Sequence, residues 1–251
     1  MAKAAARKSL ELDETLAEAH AALGLNKFWF DWDWSGAEQE LKRAVELSPS
    51  SPDAHFSYSV FLTAMGRSAE SIPETQCALE LDPLTTTRSL QLGWVLYYAR
   101  RHDEAIAQLC RTLELAPNLA YANAQLGWNY AEKRMYPEAV AECRKAVEQL
   151  PEEQVTLGSC GGVYGLAGKR SEALDLLAKL KRMSEQRYVD PYNIAWLCDG
   201  LKDNNLTMEW LERAYREHSG SLSALKIEIF SDNLRTDPRF QDLLRRMNFA
   251  Q

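Results

Sequence analysis

The chain has 251 residues, of which 46% are hydrophobic and 26% charged, and its formal net charge is −7. This composition indicates an ordered, helix-rich soluble protein, and the acidic balance argues against a nucleic-acid-binding surface, which normally shows as a basic patch. No apolar run approaches the roughly 18 residues of a transmembrane helix, so we expect no membrane segment.

A regular period organises the sequence. The triplet LGW at 92–94 returns at 126–128, and four prolines recur at the same spacing. A fixed period of this size is typical of arrays in which helical hairpins stack on one another. We therefore predict an all-α fold. The four prolines are Pro49, Pro83, Pro117 and Pro151.

Taken in chain order, the sequence predicts one continuous solenoid over residues 1–251. Residues 1–16 form a half repeat, because 2–12 match the second helix of the next repeat and no first helix precedes them. Six full repeats follow, at 17–51, 52–85, 86–119, 120–153, 154–187 and 188–221.

The period stops after residue 221, and residues 222–251 form the predicted C-terminal cap. We expect an apolar-faced segment at 222–230, followed by a last helix with Asp237 as its N-cap and Pro238 as its first residue. An aperiodic end suits a cap, which has a neighbouring repeat on one side only.

Three departures from the repeat lead to further expectations. The first repeat has one extra residue, which we assign to the turn between its helices, around Trp32 and Trp34. Pro73 should fall in the first turn of its helix, where proline is tolerated. The first helix of the fifth repeat should be the least stable, since each helical glycine costs about 0.8–1 kcal/mol relative to alanine. That repeat contains Gly158, Gly161, Gly162, Gly165 and Gly168.

The five cysteines all fall in predicted helices. Three of them, Cys77, Cys110 and Cys143, are evenly spaced at close to one repeat and so lie on equivalent helices, whose axes are about 8–10 Å apart. Since a disulfide needs Cα atoms within about 7 Å, we expect buried, reduced thiols in a cytoplasmic protein.

The repeats share a pattern of residue types. The fourth repeat has a Leu-Gly pair and an aromatic residue on its first helix, two alanines on its second helix and a closing proline. With this pattern the chain resembles tetratricopeptide-repeat (TPR) proteins. The resemblance implies a right-handed α-solenoid of TPR helix hairpins with a C-terminal capping helix. The matching residues are Leu126, Gly127, Tyr130, Ala139, Ala146 and Pro151.

A narrower resemblance attaches to three stretches, FDWDWSGAEQELKRAVELSP, LGWVLYYARRHDEAIAQL and LRTDPRFQDLLRRM. They are similar to the C-terminal TPR regions of bacterial multidomain signalling and regulatory proteins. The resemblance implies a cytoplasmic bacterial signalling protein. The effector domains of such proteins have no counterpart in this sequence, so their activities are not carried over.

In TPR proteins, one set of positions on the first helix of each repeat lines the groove that binds partners. Carried over to this sequence, the resemblance places aromatic residues at these positions: Phe28, Trp29, Phe56, Trp94, Tyr97, Tyr98, Tyr121, Trp128, Tyr192 and Trp196. Half-exposed indoles at 94, 128 and 196 would form a patch of roughly 200–400 Å², a size typical of an interaction site. Alternatively, the rings pack against neighbouring helices, or the C-terminal segment folds back over them.

No catalytic, cofactor or metal motif stands out in the sequence. His20 and His55 occupy a packing position of the repeat, and the glycines of the fifth repeat follow no strand and precede no phosphate-binding lysine. The predicted groove offers Asn193 but no basic cluster, so we do not expect a clamp for an acidic peptide C-terminus.

The sequence therefore predicts a non-enzymatic scaffold without cofactor that binds a protein or peptide in an aromatic groove, and neither nucleic acid nor membrane. Two alternatives remain open. One is a homo-oligomerisation module that pairs through its open N-terminal repeat, and the other is a small-molecule-sensing regulatory tail of a transcription regulator or kinase.

Overall fold

The computed structural model describes residues 2–228 and 232–249, and all regular structure in these ranges is helical. None of the helices in the described part is both long and apolar enough to cross a membrane. The helices are α1 Ala2–Leu12, α2 Ala17–Asn26, α3 Trp34–Leu47, α4 Pro52–Ala64, α5 Ser68–Leu81, α6 Thr86–Tyr98, α7 His102–Leu115, α8 Ala120–Glu132, α9 Tyr136–Gln149, α10 Gln154–Leu166, α11 Arg170–Gln186, α12 Pro191–Gly200, α13 Asn204–Arg216, α14 Asp232–Arg235 and α15 Pro238–Arg246.

The described residues group into two compact units. Unit 1 comprises 2–99 and 223–228, and unit 2 comprises 100–222 and 232–249. In unit 1, α2 pairs with α3 and α4 with α5, while α4 also neighbours α2 and α6. In unit 2, three hairpins pair α8 with α9, α10 with α11 and α12 with α13. The single solenoid over 1–251 and its repeat bounds stay predictions.

Polar caps followed by proline define several helix starts. Asp190 accepts a hydrogen bond from the Tyr192 amide ahead of α12, and Pro191 is the first residue of that helix. The predicted cap of the last helix is confirmed, because the Asp237 carboxylate accepts from the Arg239 amide at 2.8 Å. In the cap segment expected at 222–230, residues 229 and 230 lie outside the described residues.

A left-handed residue recurs between the two helices of each successive repeat. Its spacing along the chain is the same as that of the four periodic prolines. Only Gly66 and Gly168 are glycines there, so the other turns carry side chains in a conformation that L-residues rarely adopt. The positions and their φ angles are Trp32 at 51°, Gly66 at 77°, Arg100 at 60°, Arg134 at 59°, Gly168 at 75° and Lys202 at 60°.

The extra residue of the first repeat lies in a helix, and its expected place in the turn is wrong. Helix α2 ends in a π-helical turn, Lys27–Asp31, which holds one more residue per turn than an α-helix. Trp32 can therefore take the left-handed turn position, and the Asp33 carboxylate caps α3 by accepting from the Gly36 amide.

Pro73 lies deeper in its helix than expected. Helix α5 begins at Ser68, so Pro73 falls in the second turn, and the expectation of a first-turn position is wrong. Proline lacks the amide that would bond the carbonyl four residues earlier. That carbonyl belongs to Ala69, an exposed residue, so water can take the place of the missing donor.

Candidate functional site

The aromatic residues predicted to line a groove all lie on first helices of hairpins or on the π-helical turn that extends α2. Their exposure differs widely. Tyr121 is 42% exposed, and Trp29, Phe56, Trp94, Tyr98 and Trp196 are partly exposed. The remaining four are buried: Phe28, Tyr97, Trp128 and Tyr192.

In unit 1, helices α4 and α6 are neighbours, and their adjoining residues form the candidate site. Three of the predicted groove residues, Phe56, Trp94 and Tyr98, are partly exposed there. We call this surface the α4–α6 face and define it by Asp53, Phe56, Gly66, Arg88, Trp94 and Tyr98.

At one end of the α4–α6 face, Arg88 places a buried positive charge against an aromatic ring. Its guanidinium carbon lies 4.9 Å from the centroid of Phe56, a cation–π geometry. One terminal nitrogen donates to Asp53 at 2.5 Å, and Nε lies 3.7 Å from Asp82. The Arg88 side chain is 8% exposed and that of Asp53 80%, so the main counter-ion of a buried cation stands in solvent.

At the other end, the Tyr98 hydroxyl donates to both carboxylate oxygens of Glu228, at 3.2 and 3.1 Å. The ring of Tyr98 also makes edge contacts with Trp94, at a centroid distance of 4.9 Å, and with Tyr97. Burial, and then the charge of Glu228, hold the pKa of Tyr98 well above its ordinary value of 10.0. The hydroxyl therefore keeps its proton and remains a donor to the carboxylate.

Glu228 belongs to a short folded segment, residues 223–228, that is part of unit 1. The amides of Ile227 and Glu228 both donate to the Ala224 carbonyl, which closes a turn. Ile227 lies by the turn after α4, where its Cγ2 is 3.5 Å from the place a Cβ on Gly66 would take. The segment thus contacts one predicted groove residue, Tyr98, through the Glu228 side chain.

The aromatic residues of the first repeat form core rather than surface. Phe28 is 1% exposed, and its ring centroid lies 5.7 Å from that of Phe61 and 6.0 Å from those of Trp29 and Trp34. The exposure expected of a groove residue is therefore wrong for Phe28, because edge contacts with other rings enclose it. Trp29 keeps partial exposure at the margin of this cluster.

In unit 2, two tryptophans from alternate hairpins contact each other. The ring centroids of Trp128 on α8 and Trp196 on α12 are 4.8 Å apart, and Trp128 is 8% exposed. Trp128 is therefore not half-exposed, because its ring packs against that of Trp196. The equivalent position of the helix between them is Gly162, one repeat from each, so that position offers no side chain to separate the rings.

The glycines of α10 explain how α8 and α12, the first helices of the hairpins on either side of it, come so close. A Cβ on Gly165 would lie 2.5 Å from the backbone of Gly200, and one on Gly158 would overlap the backbone of Asn193. Helices α10 and α12 therefore meet backbone to backbone along a glycine-lined side. Helix α10 is continuous over Gln154–Leu166, and this close contact offsets the low helix propensity of its glycines.

The two histidines at the packing position make matching hydrogen bonds between helices. Nδ1 of His20 lies 2.7 Å from Glu40, and Nδ1 of His55 lies 2.5 Å from Glu74. In both residues, Nε2 faces a backbone carbonyl, at 3.0 and 2.9 Å. Each ring thus links the two helices of its own hairpin to the preceding loop, which is a structural role.

The described residues offer few candidates for a metal site or a reactive thiol. No group of three or more His, Cys, Asp or Glu side chains in the described part of the chain could hold a metal ion. All five cysteines are free thiols, but Cys110 is exposed, so the expectation of uniform burial is wrong. Cys198 is buried, and burial raises the pKa of its thiol to about 12, which makes it a poor nucleophile.

Sequence reasoning missed Asp53, Gly66 and Arg88 of the α4–α6 face, and also Glu228, which contacts it. Arg88 lies beside the transferred groove positions, and the signal that could have found it is its distance of 35 positions from Asp53, close to one repeat. Glu228 lies in the aperiodic end, where no pattern relates it to Tyr98.

No sequence-family model matches this chain, and no curated protein matches it in sequence. Its structure, by contrast, matches helical-repeat proteins, and the chain has the TPR fold. The expected all-α fold of TPR helix hairpins is thereby confirmed.

Three solved structures illustrate the match. A tetratricopeptide repeat protein from Parabacteroides merdae has a TM-score of 0.65 at 10% identity, covering 98% of this chain and 91% of that one. A chain of the APC/C hetero-tetramer Cut9–Hcn1 gives 0.62 at 17% identity, covering 96% of this chain and 45% of that one. PilF of Pseudomonas aeruginosa gives 0.54 at 19% identity, covering 85% and 96%.

Proposed function

We propose that the chain is a protein–protein interaction scaffold whose α4–α6 face binds a peptide of a partner protein. The observation that supports this most is that the face already holds a folded piece of polypeptide. Segment 223–228 sets a carboxylate against Tyr98 and an aliphatic side chain by the turn at Gly66. A surface that holds such a segment in the same chain has the chemistry to hold one from another chain.

The other residues of the face fit a peptide ligand as well. Phe56 and Trp94 offer partly exposed aromatic area, the kind of surface that anchors protein interfaces. Arg88 lies over Phe56 with an exposed counter-ion, so a ligand carboxylate could replace Asp53 without moving the guanidinium. The solved structure of Cut9 contains its partner Hcn1, which gives an example of this fold in a protein complex.

A peptide-display selection against the full chain tests the proposal. Selected peptides should bind wild type, and the double variant Phe56→Ala with Trp94→Ala should lose about tenfold in affinity or more, since the anchoring rings are removed. The control is Tyr121→Ala, which removes an exposed aromatic ring at another predicted groove position, in unit 2. Calorimetric titration measures the affinities, and circular dichroism checks the fold.

Loss of binding in Tyr121→Ala with full binding in the double variant would move the site to unit 2 and contradict the proposal. The two alternative functions, homo-oligomerisation through the N-terminal repeat and small-molecule sensing, stay predictions. The same holds for a cytoplasmic location, for a role in bacterial signalling and for the absence of enzymatic activity, nucleic-acid binding and membrane binding.

A further inference from the structure

We infer that residues 223–228 are an internal ligand of the α4–α6 face, and that the partner displaces them with a peptide that presents a carboxylate to Tyr98 beside an aliphatic side chain at Gly66. This inference rests on the proposed function and adds to it the chemistry of the partner and the competition that controls its access.

The polar part of the contact selects for a carboxylate. Glu228 is 1% exposed, and a buried carboxylate is costly unless hydrogen-bond donors face it. Tyr98 supplies such a donor, with its hydroxyl within 3.2 Å of both carboxylate oxygens. An amide or an alkyl group at this position would not reproduce the charge that the donor faces, so the face discriminates in favour of an acidic side chain.

The apolar part selects for an aliphatic neighbour. Leu225 is fully buried, and Ile227 lies against the turn that Gly66 forms between α4 and α5. Lys226, between them, is exposed, so a competing peptide can carry any residue at this position. The partner motif is therefore an aliphatic residue followed directly by an acidic one.

The way the segment is held permits exchange. The amides of Ile227 and Glu228 donate within the segment, to Ala224, while the side chains of Glu228 and Ile227 contact α6 and the turn at Gly66. A tethered segment competes at a high effective concentration, in the millimolar range for short flexible connections. The apparent affinity for a partner equals its affinity for the open face multiplied by the fraction of molecules in which the face is open.

The test uses a fluorescein-labelled peptide, GSLSALKIE with an amidated C-terminus, which copies residues 220–228. Fluorescence polarisation measures its binding to the full chain. Wild type should bind weakly, and Glu228→Lys, which replaces the internal segment's carboxylate with a cation and so loosens the segment, should bind about tenfold tighter or more. Adding Tyr98→Phe to Glu228→Lys should remove most of this gain, because the receptor hydroxyl is gone.

Two controls keep the result specific. Glu185→Lys makes the same change of charge at an exposed residue of α11 and should bind the peptide as wild type does. A peptide with Gln in place of its final Glu should bind Glu228→Lys more weakly than the original peptide. Should Glu228→Lys unfold, Glu228→Gln keeps the shape of the side chain and should shift the affinity in the same direction by a smaller factor.

Equal binding of the peptide to wild type and Glu228→Lys overturns the internal-ligand inference and leaves the proposed site standing. Tight binding that persists after Tyr98→Phe overturns the assigned carboxylate receptor. Failure of the proposed function has a different signature, since display-selected peptides would then ignore the Phe56 and Trp94 substitutions.

Discussion

In unit 1, Trp94 is partly exposed and stands beside Tyr98, whose hydroxyl holds the carboxylate of an added segment. In unit 2, Trp128 occupies the equivalent position one repeat later but is 8% exposed and packs against Trp196. The indole is the same, and the helices around it differ. An aromatic residue at a groove position is thus available for binding only where neighbouring side chains do not cover it. In unit 2 the glycines of α10 allow Trp196 to cover Trp128.

The largest expected effect separates the two tryptophans directly. Trp128→Ala should lower the free energy of unfolding by about 3–5 kcal/mol, the usual cost of removing a buried aromatic side chain. Trp94→Ala should cost less, because part of its surface already faces water. Urea denaturation of both variants measures the difference, and equal losses would mean that the two positions are equally buried.

A second pair of substitutions tests the glycine contact of α10 and α12. Gly165→Ala should cost about 1–3 kcal/mol, since its Cβ would come within 2.5 Å of the Gly200 backbone. Gly162→Ala is the matched control: the nearest atom to its Cβ would be the Trp196 carbonyl oxygen, at 3.2 Å, and the gain in helix propensity offsets a small shift. Thermal unfolding followed by circular dichroism compares the two, and a tolerated Gly165→Ala would contradict the backbone contact.

The hydroxyl of Tyr98 makes the stability of unit 1 decrease at alkaline pH. Its pKa is raised in the folded state, so its contribution to stability is complete below pH 10.0 and is lost as the pH rises from there toward the folded pKa. Tyr98→Phe should cost about 1–2 kcal/mol at neutral pH, because Glu228 loses a donor, and should flatten the alkaline decline. Urea denaturation between pH 8 and about 11 measures both effects.

The matched control for that experiment lies in unit 2. Burial also raises the pKa of Tyr164, so Tyr164→Phe should flatten the alkaline decline as well. In the Glu228→Lys background it should leave binding of the GSLSALKIE peptide unchanged, whereas Tyr98→Phe should weaken that binding. A decline that is unaltered in Tyr98→Phe would contradict the raised pKa of Tyr98, of which burial is the largest cause.

The smallest expected effect compares the hairpin turns of the two units. Gly66→Ala and Gly168→Ala should each cost about 1 kcal/mol, because both residues have a positive φ, of 77° and 75°. A Cβ on Gly168 would meet nothing within 4 Å, whereas one on Gly66 would contact Ile227. Any difference between the two losses in urea denaturation therefore reports the contact with segment 223–228.

The sequence predicts best what its period encodes. The regular spacing of the prolines and of the LGW triplets led to helix hairpins, and the local signal of an acidic residue before a proline located the cap at Asp237. Such features depend on residues close in sequence or one repeat apart, so a pattern reports them.

Features that depend on how closely particular helices approach were not predictable in this way. The burial of Trp128 requires α12 to lie against the glycines of α10, and periodicity treats every repeat spacing as equal. The pairing of Tyr98 with Glu228 joins residues 130 positions apart, one of them outside the periodic region. Residue types alone carry no information about such a contact.

The π-helical turn at Lys27–Asp31 explains a one-residue irregularity in the spacing of equivalent residues along the chain. His20 and His55 make the same hydrogen bonds, yet their separation along the chain exceeds by one that of Trp32 and Gly66, which share the left-handed turn position. The additional residue must enter between His20 and Trp32, where the helix widens. Insertion of one amino acid at the end of a first helix thus leaves every later repeat in phase, and such ends are where this chain could lengthen without refolding the rest.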